Sequence, residues 1–110
     1  MQLKDILTLQ RIPGIGNQSL LTTINFCRVN DIESLTYFES KPVTQLPIKG
    51  KPAENLYAFL AEGLYGKTLS IVESDLETWH FLDIRVVVVG DPHYPTQLTS
   101  VKDHPAILFC

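Results

Sequence analysis

The first 83 residues carry apolar side chains at the three- and four-residue spacing that gives a helix one buried face. This pattern predicts a mainly α domain over 1–83, built as a bundle of four or five short helices with Trp79 in its core. The apolar stripes are Leu3, Ile6 and Leu7; Leu20, Leu21, Ile24 and Cys27; Ile32, Leu35 and Phe38; Leu56, Phe59, Leu60 and Leu64; and Leu69, Val72, Leu76 and Trp79.

Prolines, glycines and capping residues set the expected helix limits. Pro13 ends a first helix over 3–11, and Gly16 or Asn17 caps a second one. A short third helix is expected to open at Asn30 or Asp31. Residues 40–52 hold three prolines and a glycine, which predicts a connector. The remaining expected limits are Pro52 to about Leu64, ended by Gly63 and Gly66, and about Leu69 to Leu82.

The character of the sequence changes at Ile84. The run Val86–Val89 predicts a strand covered on both faces, which is typical of parallel sheets. Two prolines interrupt regular structure until a helical turn at 96–100, and the apolar run at 106–110 predicts a second strand. This strand ends with the sequence and has no predicted partner. We therefore expect the chain to continue into a larger sheet and to self-associate through this strand.

The turn Pro13-Gly14-Ile15-Gly16 has the form of a helix–hairpin–helix turn. Such a turn presents backbone N–H groups to a phosphate without reading bases. The neutral Asn17 stands where DNA-binding copies carry a lysine or arginine, so a purely structural helix corner is the alternative. The expected DNA contacts are Arg11, Gly14, Gly16, Asn17, Gln18, Lys49 and Lys51.

A degenerate second copy of the turn is expected 34 residues later. Pro47 then matches Pro13 and Gly50 matches Gly16, while Ile48 replaces the first glycine. Two lysines flank this copy, which makes it the more electropositive of the two.

Composition limits the classes of protein that fit. A chain of 110 residues suits one small domain, and no run approaches the roughly 20 apolar residues of a membrane span. Its net charge is −3, with +2 (six basic, four acidic) over 1–52 and −5 (three basic, eight acidic) over 53–110. An anionic partner is therefore expected at the N-terminal half. The two cysteines, Cys27 and Cys110, form no framework and predict reduced thiols in a cytosolic protein.

The segment Val-Val-Val-Val-Gly-Asp-Pro-His, residues 86–93, offers an enzyme hypothesis. Metallophosphoesterases place an aspartate and a histidine on a metal after such a strand, so Asp91 and His93 are candidate ligands, with Asp103 and His104 as further ones. Only 17 residues (110 − 93) follow His93, too few for the additional ligand motifs. We therefore predict no enzyme, no metal and no cofactor, and His80 is interpreted as a partly buried structural histidine.

Residues 90–110 resemble the linker of the DNA-processing protein A family, also called DprA or Smf. In that family a strand leads into a D-x-x-Y-P-x-x-L segment, a turn of D-x-P-x-x-L form and an apolar strand. A helical domain with a similar glycine hairpin precedes it there. The matching residues are Asp91, Tyr94, Pro95, Leu98, Asp103, Pro105 and Leu108.

The resemblance implies a DNA-processing function in natural transformation. Family members continue into a Rossmann-like domain that protects single-stranded DNA and helps to load the RecA recombinase. It implies that residues 1–83 are a sterile-alpha-motif-like or doubled helix–hairpin–helix module, and that 84–110 are the linker and first strands of that next domain. Tyr94 and Pro95 would then hold the linker against the helices. The alternative is a protein-interaction or dimer-contact module that never touches DNA.

The incomplete ligand set predicts that the purified protein holds no stoichiometric zinc or manganese and hydrolyses no phosphoester. Elemental analysis and a phosphodiester hydrolysis assay check this. One equivalent of metal that is lost on His93→Ala would contradict the prediction.

Overall fold

The computed structural model describes residues 1–101 and 103–109. The described chain is mainly helical and ends in a short antiparallel pair of strands, as the sequence predicted in outline. The elements are α1 (Leu3–Gln10), α2 (Asn17–Val29), a 3₁₀ helix (Leu35–Phe38), a second 3₁₀ helix (Val43–Gln45), α3 (Lys51–Ala61), α4 (Leu64–Phe81), β1 (Val86–Val88), a third 3₁₀ helix (Thr96–Ser100) and β2 (Ile107–Phe109).

The predicted start of α4 is wrong by five residues. Gly66 lies inside this helix rather than at a break, and α4 begins directly after Gly63. Gly63 has φ of 71° and ψ of 24°, so it adopts the left-handed conformation that separates α3 from α4 without a longer loop. Leu64, predicted on the α3 stripe, is instead the first residue of α4 and is exposed.

The helix expected at Asn30 or Asp31 is also shorter than predicted. Only a 3₁₀ helix forms, and its N-cap is Ser34, whose side-chain oxygen accepts from the Thr36 N–H at 3.3 Å. Helix α3 begins at Lys51, which moves Pro52 from the first to the second helical position. Pro52 is tolerated there because the first helical N–H groups have no partner within the helix.

The core lies where α1 packs against both α2 and α4. Leu7, Ile24 and Val72, one from each of these helices, are almost fully buried. Trp79 is half-buried and packs against this core, as predicted. Cys27 is buried as well, and its burial raises the pKa of the thiol to about 11. No helix among the described residues has the length and hydropathy needed to cross a membrane.

The two strands pair antiparallel, with Val86 opposite Phe109 and Val88 opposite Ile107. The expectations of a parallel arrangement and of a second strand without a partner in the chain are therefore wrong. The chain reverses direction between Val88 and Ile107, which places β2 directly on β1. Cys110, predicted in this strand, lies outside the described residues.

The segment 84–109, which we call the extension, is packed on the helices. Val88, Ala106 and Ile107 join the helical core cluster. The Phe109 ring meets the Trp79 ring edge-on, with 5.2 Å between ring centroids. Helices and extension therefore share one core.

A buried carboxyl group links α1 to its neighbours. Asp5 is 2% exposed and accepts a hydrogen bond from the Tyr65 hydroxyl of α4. That hydroxyl also lies 3.3 Å from the Ser34 side-chain oxygen, at the start of the first 3₁₀ helix. Burial raises the pKa of Asp5, and burial followed by the hydrogen bond to Asp5 raises the pKa of Tyr65. The pair therefore ties α1, α4 and the first 3₁₀ helix together through polar contacts.

Asp5→Asn is predicted to stabilise the protein increasingly as pH rises. Because the folded-state pKa of Asp5 lies above its ordinary value of 3.8, the folded state binds this proton more tightly. The contribution of Asp5 to stability is thus complete below that value and is lost as pH rises through the folded-state pKa. The asparagine stays neutral throughout. Urea unfolding of both proteins between about pH 3 and 7 measures the difference.

The matched control for this prediction is Glu77→Gln, which removes one charge from an exposed position on α4. Its effect on the free energy of unfolding should not show the rise with pH seen for Asp5→Asn. A difference between wild type and Asp5→Asn that stays constant or falls with increasing pH would contradict the burial argument.

Candidate nucleic-acid interface

The first hairpin joins α1 to α2 through a tight turn. The Ile15 N–H donates to the Ile12 carbonyl at 3.2 Å, and Gly14 has φ of 84°. Gly16 is extended, with φ of −84° and ψ of −179°, and is the N-cap of α2, as predicted. Ile15 packs against the core between the two glycines. The turn therefore anchors its aliphatic side chain and leaves both glycines exposed.

Helix α3 contacts this turn through Asn55. Its side-chain amide donates to the Pro13 carbonyl at 2.7 Å. The same amide lies so close to Gly14 that an added Cβ would overlap its nitrogen. Lys51 precedes Asn55 by one helical turn and therefore lies on the same side of α3. The fold thus brings the first hairpin next to the start of α3, a contact that the sequence pattern did not reveal.

The second predicted hairpin matches the first at the helix start but not in the turn. Gly50 is the N-cap of α3, as Gly16 is of α2. The residue with positive φ, however, is Gly14 in the first turn and Gly50, at 71°, in the second. The helix before the second turn is only the 3₁₀ helix Val43–Gln45. The similarity is therefore confined to the two glycine N-caps.

The glycine N-caps leave the first helical turns without a capping side chain. Neither Gly16 nor Gly50 provides a side-chain hydrogen bond, so the first N–H groups of α2 and α3 have no side-chain partner from the cap residue.

At the start of α3 the available donors are the Lys51 and Ala53 N–H groups, because Pro52 has no N–H. Lys49 and Lys51 flank this helix start and are exposed, and Glu54 lies in its first turn. Helix α3 therefore begins with two backbone donors beside two lysines and one glutamate.

The start of α2 is arranged differently, because the extension lies on it. The Asn17 side chain donates to the His104 carbonyl at 2.8 Å and accepts from the Ala106 N–H at 2.9 Å. The Gln18 side-chain amide donates to the Asp103 carboxylate. The amides of Asn17 and Gln18 were predicted to meet a phosphate, and in the structure the side chains of both residues form hydrogen bonds with the extension. The sequence carried no signal for these pairs, whose members lie 85 to 89 residues apart.

The remaining predicted cation, Arg11, is paired within the protein. Its guanidinium forms a salt bridge with Asp75 of α4, and both side chains are about one-third exposed. A pair of this exposure contributes little to stability. It does lower the positive charge that Arg11 can offer to a phosphate near the first hairpin.

The predicted linker residues form a closed unit within the extension. Tyr94 is 4% exposed, and its hydroxyl donates to the Pro105 carbonyl at 2.6 Å. The Asp91 carboxylate accepts from the His93 N–H at 2.9 Å, and its carbonyl accepts from the Tyr94 N–H at 2.9 Å. Leu98 is half-buried in the third 3₁₀ helix.

The expectation that Tyr94 and Pro95 hold the linker against the helices needs correction. The hydrogen-bond partner of Tyr94 lies in the extension, and Pro95 is exposed. The polar docking contacts come instead from Asn17 and Gln18 on α2, in addition to the apolar contacts described above. Because the Tyr94 hydroxyl must find an acceptor once it is buried, it closes the loop between the two strands.

The candidate metal ligands are dispersed in the structure. His80, predicted to be partly buried, is exposed and lines a groove together with Asp83 and His93. Asp103 is engaged by Gln18, and the His104 ring nitrogen lies 2.9 Å from the Val101 carbonyl. Within 1–101 and 103–109, no group of three or more His, Cys, Asp or Glu side chains is placed to hold a metal ion.

Comparison of the chain with models of known protein families, with curated proteins and with solved structures gave no match. The resemblance of residues 90–110 to a DNA-processing family therefore stays a prediction.

Gly14→Ala is predicted to destabilise the fold by about 1–3 kcal/mol, because alanine is strained at this positive φ and its Cβ overlaps the Asn55 amide. Asn55→Ala alone should cost about 1 kcal/mol, the net value of a typical hydrogen bond. In the Gly14→Ala/Asn55→Ala double variant, the added Cβ no longer overlaps an amide. The loss of stability measured for the double variant should therefore be smaller than the sum of the losses in the two single variants. Urea unfolding of the four proteins completes the cycle.

Gly66→Ala is the control for this cycle. Gly66 lies inside α4 with open space around it, so alanine should stabilise the protein by roughly 0.5–1 kcal/mol. Strict additivity of Gly14→Ala and Asn55→Ala would contradict the proposed contact.

Proposed function

We propose that this chain is a non-catalytic, sterile-alpha-motif-like or helix–hairpin–helix module of a DNA-processing protein. In this proposal it holds weak, sequence-independent contacts to the DNA backbone at the start of α3. Stronger binding of single-stranded DNA, and cooperation with a RecA-type recombinase in natural transformation, would belong to the whole protein. These latter roles follow from the family resemblance of the extension.

The observation that carries the proposal is the combination of Lys49, Gly50 and Lys51. The N-cap Gly50 has no side chain, so the Lys51 and Ala53 N–H groups remain as donors for a phosphate oxygen, and the helix dipole favours negative charge there. The two lysines add the charge attraction that dominates non-specific DNA affinity. Such a surface contacts the backbone and reads no bases, which agrees with a role in handling DNA of any sequence.

The closed form of the extension supports the same proposal. Tyr94 and Pro105 belong to the two halves of the family-like motif, and one hydrogen bond of 2.6 Å joins them. The two halves of the motif therefore close the same loop, which is a physical reason why both occur in this segment.

A second candidate function, a protein-interaction module, is favoured by exposed apolar side chains. Phe81 is 87% exposed and Leu82 is 58% exposed at the end of α4, and Ile71 and Phe109 are about half exposed. Contiguous exposed apolar surface marks contact sites for other proteins, and Phe81 and Leu82 are adjacent in the chain. This candidate requires no phosphate contact, so DNA binding separates the two.

The double variant Lys49→Glu/Lys51→Glu is predicted to abolish binding of a 20-nucleotide oligothymidylate. Both lysines are exposed, so the fold should be retained. For the wild-type protein, two or three neutralised phosphates on a single strand predict a shallow salt dependence, with a slope of about −1.4 to −2.1 in log K against log salt. Fluorescence anisotropy at about 50 mM salt and above measures both quantities.

The control is Lys67→Glu/Arg85→Glu, which changes the net charge equally at two exposed positions outside both hairpins. Equal losses in the two double variants would mean that net charge, rather than the start of α3, governs binding. If the wild-type protein binds neither single- nor double-stranded DNA at low salt, the DNA proposal fails and the protein-interaction candidate stands.

A further inference from the structure

The extension occupies the start of α2 through a short segment, 103–106. Asn17 pairs with this segment as a strand would, because its side-chain amide donates to one backbone carbonyl and accepts from a backbone N–H two residues on. Gln18 adds a hydrogen bond to the Asp103 carboxylate. Asn17 and Gln18 thus form three hydrogen bonds with the extension, and these cover the start of α2.

The Asp103 carboxylate is a negative group beside the first turn of α2. A carboxylate there gains from the same partial positive charge that would attract a phosphate. It also opposes a second negative group at the same place by Coulomb repulsion, which is about 1 kcal/mol for unit charges 4 Å apart in water. The extension therefore places an acidic side chain where the first hairpin would meet DNA.

Arg28 of α2 also lies close to the extension, near the end of β1. The guanidinium of Arg28 lies against Gly90, where an added Cβ would overlap it. Gly90 has φ of 88° and lies two residues after the end of β1. Contacts from α2 thus reach the extension at both ends of the segment that joins its strands.

We infer that the 103–106 segment is an autoinhibitory contact. While this segment is docked on the start of α2, it keeps the first hairpin from binding DNA. This inference rests on the proposed function and concerns its regulation. Release of the segment frees the Asn17 and Gln18 side chains and removes the Asp103 charge from the start of α2. The second hairpin, which the extension does not touch through these residues, supplies the weak contact that remains in the docked state.

The first test is the affinity of Asp103→Asn for a 20-nucleotide oligothymidylate at about 50 mM salt. Asparagine keeps a side-chain oxygen for Gln18 and removes only the charge. Affinity should rise about three- to fivefold over wild type. The matched control is Asp83→Asn, which removes one charge from the residue directly before the extension. Its φ of 60° suits asparagine, so the variant should fold and bind as wild type does.

The second test is hydrogen exchange at the Ala106 N–H, which donates to Asn17. Saturating oligothymidylate should speed this exchange in wild type, because DNA at the first hairpin displaces the segment. The Asn17→Ala variant should exchange fast with or without DNA.

The outcomes separate the inference from the proposed function. If wild type binds DNA, while Asp103→Asn gains no affinity over Asp83→Asn or Ala106 exchange is unchanged by DNA, the inference is overturned and the proposed function stands. If neither wild type nor Asp103→Asn binds, both are overturned. A gain specific to Asp103→Asn together with faster Ala106 exchange supports both.

Discussion

The arrangement of the helices depends on the burial of α1. Five consecutive residues of this helix, Asp5–Leu9, are buried, so neighbouring elements must cover it around most of its circumference. Helices α2 and α4 both pack on it, and the Asp5–Tyr65 hydrogen bond satisfies the carboxyl group that this burial removes from water. An eight-residue helix has little stability of its own, so its conformation is maintained by these surrounding contacts.

The first hairpin is contacted by two elements that are distant in sequence. Asn55 of α3 binds the turn at Pro13, and the extension binds the start of α2 at Asn17. The turn is thus held by polar contacts from elements that are distant in sequence, although its core anchor, Ile15, is local. Charge follows the same division, because the free lysines lie at the start of α3 while an aspartate of the extension lies at the start of α2.

The sequence predicted the elements whose cause is local. The apolar stripes located α1, α2 and α3, and Gly16 fell at the predicted N-cap because a tight turn must precede a helix there. The early start of α4 escaped prediction, because the cost of a glycine inside a helix is only about 0.5–1 kcal/mol and does not prevent the helix from including Gly66. The antiparallel pairing and the use of Asn17 depend on tertiary contacts over tens of residues, which periodicity does not encode.

The contact between Trp79 and Phe109 gives the protein an optical reporter of its own. Trp79 is the single tryptophan in the chain, and Phe109 belongs to the last described strand. The indole is half-buried between the helical core and β2, so its emission depends on both. Separation of the strands from α4 would expose the indole to water while the helical far-ultraviolet signal persisted. Fluorescence and circular dichroism therefore distinguish loss of the extension from unfolding of the bundle.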